Sequence, residues 1–118
     1  FDPFRRERAQ ALVVQVSPLM LEHRAVVVER AARDRLPAIH EARNFVEAGG
    51  LVAYGPDLRD TYRRAAAFVD RILKGASPRD LPVEQSASLA LSINLKAAKA
   101  LGLEIPTSLR LRADEFVE

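Results

Sequence analysis

With 118 residues, 48% hydrophobic and 29% charged, the chain has the proportions of a single ordinary globular domain. A formal net charge of +2 from 18 basic and 16 acidic residues, with five phenylalanines, two tyrosines and no tryptophan, gives nucleic-acid binding no support. Cysteine is absent, which excludes disulfides and thiolate metal sites, and no stretch has the length of a membrane span or the pattern of a signal peptide.

Taken in chain order, Phe4 to Gln10 reads as the end of a polar helix, and Phe1 in place of a methionine leads us to expect chain upstream. Ala11 to Val16, "ALVVQV", is a nearly continuous apolar run that suits a parallel strand covered on both faces. Ser17-Pro18 then supplies an N-cap and a proline for the first helical position. The helix that follows has Leu21, Ala25, Val28 and Ala32 on one face and ends near Arg35, ahead of Pro37. Pro37 to His40 is a second strand. Glu41 to Ala48 reads as a helical turn in which Arg43 and Glu47 are spaced to pair, and Leu51 to Tyr54 is a third strand.

Asp57 caps the next helix, with Leu58, Tyr62, Ala65, Val69 and Ile72 on its apolar side and Gly75 closing it. Arg59, Arg63, Arg64, Arg71 and Lys74 occupy its outer side and are expected to be solvated. "ASPRDLP" is a turn-rich connector. Ser88 to Asn94 alternates, with Leu89, Leu91 and Ile93 on one side, and Asn94 can cap a short helix that runs through Leu101 and stops at Gly102. The tail "EIPTSLRLRADEFVE" fits either helix or strand. Strands alternating with helices in this way imply an α/β fold with a mainly parallel sheet and flanking helices.

Little of this points to catalysis. The glycines around "VEAGGLVAYGPDLRD" do not follow the dinucleotide spacing, and Pro56-Asp57 stands where a phosphate loop needs lysine and serine or threonine. An aspartate at a helix start also competes with phosphate for the same N–H groups. Ser17 lacks a nucleophile elbow and is explained as an N-cap. His23 falls among polar helix positions. His40 and Glu41 follow the second strand, and Tyr54 ends the third; ligands of open α/β sheets bind beyond such strand ends. No catalytic residue, metal site or cofactor is expected, since one His-Glu pair is a weak metal signal.

The run from "RNFVEAGGLVAYGPDLRDTYRRAAAFVDRILKGASPRDLPVEQ" to "INLKAAKALGLEIPTSLRLRADEFVE" closely resembles the C-terminal part of ABC-transporter substrate-binding proteins with a type 1 periplasmic-binding fold. The resemblance begins near Ala9 and reaches the end of the chain. Glu47 to Leu51, Tyr54-Gly55-Pro56, Tyr62 to Ala66 and Asn94 to Lys96 carry it, and together they are far more specific than any one alone. Ala53-Tyr54-Gly55 stands where relatives commonly read Ser-Tyr-Gly, a lost hydroxyl that bears on solute preference.

The resemblance implies a solute held between two α/β lobes and delivered to an ABC permease, in the periplasm or attached to the cell envelope. It implies that residues 1–48 are a βαβ part of the C-terminal lobe, residues 51–82 a crossover strand and helix of the N-terminal lobe, and residues 83–118 the return. The double glycine then lets the chain turn sharply into the crossover strand. The expected ligand contacts are Ser17, with its neighbouring amides on a solute carboxylate, His40, Glu41 on an ammonium group, and Tyr54 stacking on an apolar or aromatic solute. A ligand-sensing module of a regulator or receptor is the alternative, and a small hydrolase or transferase ranks last for want of a nucleophile-base pair. Without the rest of the fold, strand edges and apolar faces are left uncovered, and this chain is expected to self-associate by strand exchange or by packing helix faces, or else to repack into one small sheet, with solute binding weak or absent.

Overall fold

A computed structural model describes residues 1–84 and 88–117. Helix α1 (Asp2–Arg6) carries a proline in its first turn, and the chain leaves it at Glu7, earlier than the polar run suggested. Strand β1 (Leu12–Val14) leads to α2 (Pro18–Glu22), where the Ser17 hydroxyl accepts a hydrogen bond from Met20 N–H at 3.2 Å. Then come α3 (Arg24–Arg33), β2 (Ala38–His40), α4 (Arg43–Glu47) and β3 (Val52–Pro56). Helix α5 (Leu58–Leu73) is followed by a 3-10 turn at Pro78–Asp80, β4 (Leu89–Asn94), α6 (Leu95–Leu101), α7 (Thr107–Arg110) and β5 (Glu115–Val117).

The five strands form one sheet in the order β1-β2-β3-β4-β5. β1, β2 and β3 are parallel, with Leu12 opposite Ala38, Val14 opposite His40, and His40 opposite Ala53. β4 enters beside β3 in the opposite sense, so that Asn94 N–H at its end donates to Leu51 O just before β3 begins, at 2.9 Å. β5 pairs parallel with β4. The result is a mixed, mostly parallel α/β sheet.

The chain divides into two compact units, Phe1–Gly55 with Ala90–Glu118, and Pro56–Leu89. In the first unit, two core clusters form on the side of the sheet that α3 and α4 cover. Leu12 and Ala38 pack with Ala31 and Leu36, while Val28, Ala42 and Phe45 form an adjoining cluster. Phe45 and Ile93 are wholly buried, and burial of side chains of this size stabilises the fold by about 1.5–3 kcal/mol each. The second unit is carried by α5. Asp57 caps it by accepting from Arg59 N–H, and Arg64 reaches Glu84 at 2.6 Å. No residue of α5 is buried, so its apolar stripe, including Leu58, Tyr62 and Val69, stays open.

Two expectations are corrected here, and two open readings are resolved. β1 is not covered on both faces: Val13 is 81% exposed, because α3 and α4 lie over the side bearing Leu12, Ala38 and Ala42. The helix after Ser17 is not continuous but breaks at His23, whose backbone (φ −94°, ψ 16°) ends α2 and starts α3. The break rotates the inward face, so Val28 and Ala31 are buried and Ala25 and Ala32 are exposed. In β4 the alternation does not mark a solvated side. Ser92 and Asn94 are buried along with Leu91 and Ile93, so the second half of β4 is covered on both faces. The ambiguous tail resolves into both a helix and a strand.

Candidate functional site

The C-terminal ends of β1 and β2 lie side by side, which places the loop Gln15–Ser17 against Glu41. β1 stops at Val14, so Val16 N–H has left the strand ladder; it donates instead to Glu41 Oε2 at 3.0 Å. Glu41 N–H donates to Val14 O at 3.2 Å, so both the backbone and the side chain of Glu41 hold the end of β1. From the other side, Gly55 presses its Cα against the Glu41 carbonyl, where a Cβ would fall well inside van der Waals contact and also meet Glu41 Cγ at 3.1 Å. Gly55 is required there by close approach rather than by an unusual backbone angle.

Ser17 and Glu41 are thus brought together at one rim. Ser17 is half-buried and its hydroxyl caps α2, while Glu41 is half-buried with one carboxylate oxygen engaged. The other two expected residues point elsewhere. His40 is 1% exposed, and its ring stacks on Phe45 with centroids 4.6 Å apart and planes at 9°. Neither of its nitrogens has a hydrogen-bond partner among the described residues, and burial lowers its pKa from 6.5 to about 4, so the imidazole is neutral at physiological pH. The strand period explains this placement. His40 shares the inward side of β2 with Ala38, and Glu41 has already left the strand.

Tyr54 lies on the opposite face of the sheet. With Val13, Ile39, Val52, Leu91 and Leu109 it lines an apolar groove of about 380 Å³. This groove was not read from the sequence, although the period of two puts Val13 and Ile39 opposite Leu12 and Ala38. On the side of the sheet that bears His40, a second depression of about 470 Å³ is lined by residues of α3 and α6 together with the Val46–Leu51 turn, its polar members being His40, Glu47, Asn94 and Lys96. Among the described residues, no group of His, Asp and Glu side chains is arranged to hold a metal ion.

Comparison with known proteins decides the family. The model describing ABC transporter substrate binding proteins matches residues 5–117, nearly the whole chain. The chain belongs to the ABC transporter substrate-binding protein family. Solved structures agree with that assignment. A conserved domain protein from Vibrio cholerae is 25% identical with a TM-score of 0.86, covering 94% of this chain and 38% of that one. An ABC domain from Streptococcus pneumonia in complex with L-Trp is 27% identical with a TM-score of 0.86, covering 96% of this chain and 38% of its own. A ligand-free, open substrate binding protein with adhesive properties from Clostridium difficile is 26% identical with a TM-score of 0.66, covering 92% and 36%. No curated protein matches. This substrate-binding family member therefore spans less than two fifths of the length of the solved structures it resembles.

Proposed function

We propose that these residues form part of the solute-binding component of an ABC importer, which captures an amino acid and hands it to a permease at the cell envelope. The observation that carries this reading is the likeness, over 96% of the chain, to a family member solved with L-Trp. The chemistry of the rim is compatible with binding and offers no reaction. The rim holds a hydroxyl that already serves as a helix cap and a carboxylate that already accepts a backbone N–H.

In this reading the sheet-bearing unit, residues 1–55 and 90–118, belongs to the C-terminal lobe and residues 56–89 to the N-terminal lobe. Solute meets Ser17 at the rim where β1 and β2 end, beside the Val16 loop that the Glu41 side chain holds. His40, the last residue of β2, is stacked on Phe45 and makes no solute contact in this reading. The remaining contacts come from the part of the fold that relatives carry outside the matched span.

Thermal-shift screening of the intact protein against the common amino acids, followed by calorimetry on any that stabilise it, tests the proposal. Saturable binding of an amino acid, L-tryptophan among the first tried, is the expected result, because a ligand that binds only the native state raises its stability. Failure of every amino acid to shift the transition would remove the amino-acid assignment.

A further inference from the structure

We infer that Glu41 is a positioning residue, one that shapes the solute rim by holding Val16 N–H, and not a charge that pairs with the solute. The inference rests on the proposed solute site and deepens it. Between the last residue of β1 and the first of α2, the chain must turn through Gln15, Val16 and Ser17. Ser17 is held by its own cap, and Leu21 N–H donates to Ser17 O at 2.9 Å. Val16 N–H has no strand partner, and the carboxylate 25 residues away satisfies it at 3.0 Å. An unmet backbone donor here would leave the loop free to move.

Glu41 is itself clamped. Its N–H is bonded to Val14 O, and its carbonyl and Cγ bear on Gly55 at the end of the first unit. One residue, through its backbone and its side chain, therefore links the ends of β1, β2 and β3 where solute is proposed to lie. A carboxylate committed to a backbone N–H needs an acceptor oxygen there, and that oxygen can come from a neutral amide. A carboxylate that pairs with an ammonium group needs its charge. Glutamine keeps the first and loses the second, so the two roles separate cleanly.

The test compares Glu41→Gln and Glu41→Ala in the intact protein by two readouts: L-tryptophan affinity by calorimetry, and hydrogen exchange at the Val16 amide by NMR. Positioning requires that Glu41→Gln keep affinity within about twofold of the parent and keep the Val16 amide protected. Glu41→Ala then loses that protection and weakens binding by about tenfold, the upper scale of one ordinary hydrogen bond. If Glu41→Gln binds as weakly as Glu41→Ala while Val16 stays protected, the charge meets the solute and the inference is wrong. Unchanged Val16 exchange in Glu41→Ala also overturns it. Should the parent bind neither L-tryptophan nor any other amino acid, the proposed function fails, and Val16 exchange in the two variants still decides the role of Glu41.

Discussion

The imidazole of His40 lies flat against the ring of Phe45, centroids 4.6 Å apart, with both nitrogens buried and unpartnered among the described residues. A polar ring in that position is tolerated because it is neutral. The folded pKa of about 4 is below the ordinary 6.5, so between those values the unfolded chain binds a proton that the folded chain does not. This contribution to stability is complete above the unfolded pKa and is lost as pH falls from 6.5 towards 4, by up to about 3 kcal/mol. Urea unfolding across that range should show the midpoint dropping. His40→Leu should flatten the part of the slope that His40 contributes, and an unaltered profile in that variant would assign the acid sensitivity to other groups.

Gly55→Ala is expected to be far more damaging than Gly102→Ala. At Gly55 a methyl group would collide with the Glu41 backbone, which cannot give way without dragging the ends of β2 and β3 apart. The loss should be about 3 kcal/mol or more. Gly102 closes α6 at φ 73° with open space around it, so alanine there meets only backbone strain of about 1 kcal/mol. Thermal unfolding of the two variants makes the comparison, and equal effects would contradict the packing argument.

Arg43 joins α4 to β5 through a two-pronged pair with Glu115, Nε and one terminal nitrogen each 2.6 Å from a carboxylate oxygen. It also reaches Glu47 at 2.8 Å. Both ends of the longer pair are more than a third exposed, so Arg43→Ala should cost no more than about 1 kcal/mol, with the deficit shrinking in high salt. Exchange at the β5 amides should rise selectively. Arg43→Lys should recover only part of the loss, because an ammonium group cannot reproduce the fork.

Asn94 ends β4 and starts α6, with its side-chain oxygen accepting Ala97 N–H at 2.8 Å. Asn94→Ala should cost about 1 kcal/mol, and Asn94→Ser less, since a serine hydroxyl caps nearly as well and brings no charge into a buried position. Denaturant titration of both variants checks this. Equal losses would mean that the side chain matters for something other than the cap.

The apolar sheet face bearing Val13, Ile39 and Tyr54 should make this 118-residue chain associate with itself. Light scattering during size exclusion should show mass rising with concentration, and Val13→Asp should reduce it. A monomer at every concentration sampled would argue against association through this face.

Reading residues in order was enough to place the caps at Ser17, Asp57 and Asn94, the stop at Gly102, the pairing of Arg43 with Glu47, and the alternation that makes an α/β fold. Each of these depends on partners within a turn or so of helix, where spacing alone fixes distance. Only the assembled sheet decided that Val13 faces solvent, that His40 is buried on Phe45, that Arg43 also finds Glu115, and that Glu41 spends an oxygen on Val16. Those outcomes depend on which strands become neighbours and which side the crossover helices cover, and pairs separated by 25 and 72 residues meet only after that choice is made.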